Sequence, residues 1–105
     1  MEFDGFDWDG GNGDKCRKHG VSIAETESLF LGEPIVGPDI LHSAVERRFR
    51  AVGVTAEGRG LFVVFTWRRR GAQRLIRPIS ARFMHRKEVE AHEKEIPGVQ
   101  DGRRG

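Results

Sequence analysis

One stretch limits the possible folds more than any other. Leu61-Phe62-Val63-Val64-Phe65-Thr66-Trp67 is a nearly unbroken apolar run, preceded by Glu57-Gly58-Arg59-Gly60 and followed by Arg68-Arg69-Arg70-Gly71. A run this short, bounded by turn chemistry, reads as a central strand buried on both faces. The chain must therefore supply neighbouring strands on each side and cover both surfaces. Two flanking segments suit the first task. Val45 to Thr55 alternates Val45, Arg47, Phe49 and Ala51 with Glu46, Arg48, Arg50 and Val52, and Arg74 to Ala81 forms a third long strand. Glu57–Gly60 and a basic turn over Arg68–Gln73 would join the three into a meander. Pro78 has no amide hydrogen to donate, so a sheet edge or a bulge is expected there.

The covering layers are legible from spacing. Ser22 and Glu25 have capping-box spacing, and Ile23, Thr26 and Phe30 fall on one face of a helix that Gly32 and Pro34 stop near Leu31. Phe6 and Trp8 alternate in a short first strand, Gly10–Gly13 reads as a loop or weak helix start, and Lys15–His19 as a short helix capped by Gly20. Gly37-Pro38-Asp39 reads as a loop. A closing helix is expected from His85 to Ile96, with Val89, His92 and Ile96 on one side and Pro97-Gly98 as its stop. The sum is an α+β domain, a small antiparallel sheet packed against N-terminal and C-terminal helices. At 105 residues the chain suits one domain, residues 1–98, with 99–105 as a flexible tail.

Charge is sharply segregated. Residues 1–46 hold three Lys/Arg against ten Asp/Glu (net −7), 47–87 hold twelve against Glu57 alone (net +11), and 88–105 hold three against five (net −2). The central excess points to a polyanionic partner, with a solvated surface paired to the acidic N-terminal part as the alternative. No apolar run reaches the roughly 20 residues that cross a bilayer, so no membrane association is expected. Met1-Glu2-Phe3-Asp4 lacks the basic and apolar regions of a secretory signal, and Cys16 is the only cysteine, so a cytoplasmic setting is expected. His19, His42, His85, His92 and Cys16 show no zinc-finger spacing, and Gly10-Gly11-Asn12-Gly13 lacks a Walker lysine. Neither metal nor cofactor is expected. Cys16 has basic neighbours but no defined base, which makes an inert thiol the leading reading.

Five blocks occur in order: Phe6-Asp7-Trp8-Asp9; Lys18-His19-Gly20-Val21-Ser22; Asp39 with His42-Ser43 and Glu46-Arg47; Gly58-Arg59 with Phe62 to Thr66; and Ile79-Ser80-Ala81-Arg82. Together they resemble the BrnT toxins over about residues 3–95. The resemblance implies a RelE-like fold and an endoribonuclease that halts translation. It also implies a type II antitoxin partner with a ribbon-helix-helix part, BrnA-like, and a possible dimer within that complex. Lys15 and the Gly11-Asn12 stretch depart from the usual family wording, as does Ile76-Arg77-Pro78-Ile79.

RNA carries its own nucleophile, the 2′-hydroxyl. Cutting it requires a group to take that proton, a group to protonate the leaving 5′-oxygen, and cations at the phosphate. Under the resemblance, His42 and Glu46 are candidates for proton transfer, four residues apart on one face in either a helix or a strand. The alternative is a loop histidine and a carboxylate that neutralises Arg47 or Arg82. Arg82 is the candidate phosphate clamp. Arg77 lies five residues earlier and reaches the same site only if Pro78 introduces a bulge or the strand ends early; otherwise it is a surface ion pair. Lys18 and His19 either complement a helix dipole or serve as proton donor and phosphate contact. Arg47, Arg68, Arg69, Arg70, Arg77 and Ser80 are candidate RNA contacts, with buried hydrogen bonding the competing role for Ser80. Trp67 could stack on a base, although a core role is the commoner outcome. A catalytically weak module that binds RNA or protein and is neutralised by an antitoxin is the alternative function.

Overall fold

The computed structural model describes residues 1–39 and 46–92. In chain order they form β1 (Gly5–Phe6), α1 (Gly10–Arg17), α2 (Ile23–Leu31), β2 (Ile35–Pro38), β3 (Phe49–Val54), β4 (Gly60–Arg70), β5 (Gln73–Phe83) and α3 (Arg86–His92). The strands make one sheet in the order β1-β5-β4-β3-β2. The apolar run lies in β4, at its centre. Pairing is antiparallel except at the β1 edge, where Gly5 and Phe6 run parallel to Leu75 and Ile76. The α+β class stands, and the sheet is mixed rather than wholly antiparallel.

Three local expectations need correction. First, the weak helix start at Gly10–Gly13 is the alternative that holds: one helix runs Gly10–Arg17 rather than a separate one from Lys15, although three of its first four residues are glycine, a poor helix former. Its start is held by Asp9 and Asn12, which exchange side-chain-to-backbone hydrogen bonds of 3.1 and 2.7 Å. The Asn12 side chain, itself buried, also donates to the backbone oxygens of Asp7 and Pro78 at 2.9 and 2.8 Å. Second, of the expected loop Gly37-Pro38-Asp39, only Asp39 lies outside regular structure; Gly37 and Pro38 end a strand, Ile35–Pro38. It forms the outer edge of the sheet, where a proline's missing donor leaves no bond unmade. Third, Arg68, Arg69 and Arg70 belong to β4, and the turn shrinks to Gly71 and Ala72. Gly71 takes φ +58°, which suits the first position of a type II′ hairpin turn.

Residues opposite one another across strands share a face. Phe49, Ala51, Leu61, Val63, Phe65, Trp67, Ile76 and Ala81 line one face, and Cys16, Val21, Leu29 and Phe30 from the helical layer pack against it. Phe65 is fully buried, edge-on to Phe30 at 5.1 Å and to Trp67 at 5.6 Å. The Ser22–Glu25 capping box is present, and Thr26 and Phe30 are buried as their spacing requires. On the other face Val52, Met84 and Val89 form a second cluster, with Ile35, Val54 and Phe62 against it, so α3 covers one end only. The expected residues Glu93 to Ile96 of the closing helix, and the 99–105 tail, fall outside the described residues.

Gly53 lies where α2 and the sheet meet most closely. A Cβ there would stand 2.8 Å from Leu29 Cδ1 and 3.3 Å from the Pro34 Cα. Gly53→Ala is expected to destabilise the fold by about 1–3 kcal/mol through overpacking. Urea unfolding should show a lower midpoint with an unchanged slope.

Candidate functional site

Pro78 organises the second face of the sheet. The β4–β5 ladder slips between Val64 and Phe65: Val64 pairs with Ser80, but Phe65 pairs with Pro78, which leaves Ile79 as the extra residue. A bulge of this kind reverses which side later residues take. Arg77 pairs with Thr66 and Arg82 with Phe62, and Thr66 and Phe62 lie on the same side of β4. The two arginines, five apart in sequence, therefore share a face. Val64, Ser80, Arg68 and Arg70 join them there, as does Arg50, opposite Val64. Arg69 takes the other side, opposite Arg74.

Among the described residues, two cavities line this face. The smaller, about 140 Å³, is lined by His19, Phe62, Val64, Ser80, Ala81 and Arg82. The larger, about 310 Å³, is lined by Gly11, Asn12, Lys15, Glu46, Arg48, Arg68, Arg77 and Ile79. A bigger hollow of about 520 Å³, bounded by Met1 to Asp4 and Arg74, contains none of the candidate groups. His19 follows α1 and looks into the smaller cavity from the β5 side, while Lys15, one turn earlier, borders the larger.

Carboxylates meet the arginines of this face. Arg82 donates to both oxygens of Glu88 at 2.8 and 2.9 Å, a fork-to-fork pair, and its guanidinium lies 4.7 Å from the Phe62 ring centroid. The hydrogen bonds from Arg82 pull the Glu88 carboxyl down from 4.5 to about 2, against burial, with a further contribution from the His85 backbone N–H. Glu46 accepts from Arg68 at 2.9 Å and lies 3.9 Å from Arg48. Arg77 bridges Asp9 at 2.9 Å and Asp7 at 3.4 Å, and Arg70 reaches Asp7 at 2.9 Å. The backbone bond from Asn12 and the contact with Arg77 lower the Asp9 carboxyl.

The sequence-derived candidates therefore divide. His19, Ser80 and Arg82 gather at one cavity. Glu46, Arg68 and Arg77 gather at the other. Glu46 pairs with Arg68 and Arg48 and not with Arg82; Arg68 and Phe62 are six residues apart on β4, about 20 Å of strand. The surface-pair reading of Arg77 matches its contacts, and the bulge nevertheless puts it on the Arg82 face. Lys18 caps α1, exposed, and lines neither cavity. Arg47 is exposed, and its carbonyl accepts from Thr66 Oγ1 at 2.9 Å. His42 lies outside the described residues. Trp67 sits on the core face under the Arg74 guanidinium, 3.7 Å from its ring centroid, as the core reading requires. Burial pushes the Cys16 thiol up to about 11, so it stays protonated and inert near neutral pH. Lys15, Arg48 and Glu88 are site residues that sequence reasoning misses. An acidic residue six positions after Arg82 is the available signal for Glu88.

Among the described residues, no three or more His, Cys, Asp or Glu gather as a metal-binding set. No helix among them is long and apolar enough to cross a membrane. An open sheet face lined by arginines, with a histidine and a serine beside one of them, is a surface suited to a phosphodiester chain.

The comparison with protein families agrees. The family model described as "Ribonuclease toxin, BrnT, of type II toxin-antitoxin system" matches residues 8–88. The chain belongs to the BrnT family of ribonuclease toxins, and that membership carries with it an RNA target and a protein antitoxin. No curated protein matches the chain.

The Arg82–Glu88 pair makes a pH prediction. The folded carboxyl titrates at about 2 against 4.5 ordinarily, so its stabilising effect is complete above about pH 4.5 and is lost as the pH falls toward 2. The two side chains are 39% and 32% exposed, so the effect is modest. Glu88→Gln should lower stability at pH 7 by about 1 kcal/mol at most. The gap should close near pH 2 in urea titrations of the two proteins.

Proposed function

We propose that this chain cuts RNA without a metal ion, by attack of a ribose 2′-hydroxyl on the adjacent phosphorus. In that step the 2′-oxygen forms a bond to phosphorus and the bond to the 5′-oxygen breaks. A base takes the 2′-proton and an acid returns one to the departing 5′-oxygen. The products are a 2′,3′-cyclic phosphate and a 5′-hydroxyl. The observation that carries the reading is that His19, Ser80 and Arg82 line one cavity on an arginine-rich sheet face. Arg82 would hold the phosphate as charge builds on it, exchanging the Glu88 carboxylate for the phosphate oxygens. His19 would move one proton, with Ser80 as a hydrogen-bonding neighbour. His42 is proposed for the second transfer. Glu46 would hold Arg68 and Arg48 in place, and Lys18 and Arg47 would touch flanking phosphates, as would Arg70; Arg69, on the other side of β4 opposite Arg74, would lie away from this RNA path.

Translation would stop because messages are cut in the cytoplasm. The antitoxin would be a ribbon-helix-helix protein whose acidic or apolar elements cover this face, with a dimer inside the complex. Residues 1–98 would form the toxin domain, with 99–105 as its tail.

The test is cleavage of a labelled RNA in chelator. Cyclic-phosphate ends should appear without added metal. Arg82→Ala should lower the rate by about 10²–10³ and His19→Ala by about 10²–10⁴, with folding retained by circular dichroism. RNA left intact both in chelator and after magnesium is restored would end the nuclease reading of this chain. Full growth inhibition by both variants would favour a binding module instead.

A further inference from the structure

The larger cavity is not needed for the chemistry at Arg82, yet it is the more cationic of the two. Lys15, Arg48, Arg68 and Arg77 line it, with Glu46 as the single carboxylate among the lining residues. Lys15 is exposed on the last turn of α1, a position with no structural need for a cation beyond a helix-dipole effect. The amide side of the cavity is anchored. Asn12 is 4% exposed and its side chain is fixed to Asp7 and Pro78, so α1 cannot easily swing Lys15 away.

The two cavities share the open face and are offset along it. Arg77 stands opposite Thr66 and Arg82 opposite Phe62, four residues apart on β4. At about 3.3 Å per residue that is about 13 Å, and Arg68, two positions further along β4, lies about 20 Å of strand from Phe62. A stacked strand rises about 3.4 Å per nucleotide, so the gap holds about four nucleotides as far as Arg77 and about six as far as Arg68.

We propose that the larger cavity is a second phosphate subsite, centred on Lys15 and Arg68, which grips RNA a few nucleotides away from the linkage at Arg82. The proposal rests on the reading of this face as RNA-binding and adds a length requirement to it. A dinucleotide fills only the Arg82 cavity. A substrate has to extend along the sheet toward the β4–β5 hairpin to reach the second cavity. Phosphate contacts of this kind position the chain without reading its bases, so the requirement is for length and not for sequence.

Binding measured apart from cleavage tests this. Fluorescence anisotropy with 2′-O-methyl oligonucleotides, which cannot be cut, gives dissociation constants for a dinucleotide and a hexanucleotide. The full chain should bind the hexanucleotide at least tenfold more tightly. In Lys15→Gln/Arg68→Gln that ratio should fall at least threefold. The salt dependence of hexanucleotide binding should also become shallower, by about 0.7 in the log–log slope for each phosphate that the variant no longer neutralises. Lys15→Gln alone, at an exposed position, should show the same change in part and guards against misfolding of the double variant. Equal affinity for the two lengths, no binding of either, or a ratio unmoved by the substitutions would overturn the subsite. Loss of the nuclease reading would show separately, as uncut RNA in the cleavage assay despite a normal length ratio.

Discussion

Pro78 cannot donate a backbone hydrogen bond, and the ladder between β4 and β5 yields around it. The sheet inserts Ile79 as an extra residue, and the carbonyl of Pro78 is taken up by the buried side chain of Asn12 from α1. Without the slip, Arg77 and Arg82 would stand on opposite sides of β5. With it, Arg77, Ser80 and Arg82 face one side, while Pro78 and Ala81 stay with the core. One missing donor thus sorts β5 into a helix-covered half and an exposed cationic half. The same contact orients α1, which lines the exposed half with Lys15 and is followed by His19.

The acidic ends of the sequence act as internal counterions. Asp7 and Asp9 meet Arg70 and Arg77, Glu46 meets Arg68 and Arg48, and Glu88 meets Arg82. Clustered arginines repel one another, and intramolecular carboxylates let them stand close in the absence of RNA. Such partly exposed pairs contribute little stability each, so a polyanion can compete for the same guanidinium forks. The separation of charge along the chain is thus undone in space, through contacts that a phosphate backbone can replace.

Much of this is legible in the sequence where the determinants are local. The Leu61–Trp67 run, the Ser22–Glu25 box and the irregularity at Pro78 each depend on neighbours in sequence, and the ordered blocks point to the family that the family model matches. The misses depend on distant partners. Gly10-Gly11-Asn12-Gly13 announces a helix start only weakly, because its support includes a bond from Asn12 to Pro78, 66 positions away. The Ile35–Pro38 strand hides because glycine and proline mimic a loop, and only its edge position makes them acceptable. Sequence reasoning offers Glu46 as a partner for Arg82. The actual partner is Glu88, brought back by the turn into α3.

The central claim is that RNA lies on the exposed face of the sheet and not on its helical side. Amide chemical-shift mapping with an uncleavable hexanucleotide tests it most directly. Perturbations are expected at His19, Phe62, Val64, Ser80 and Arg82, continuing to Lys15 and Arg68, with α2 and Val36 unaffected. Shifts concentrated on α2, β2 or the Trp67–Arg74 side would contradict it.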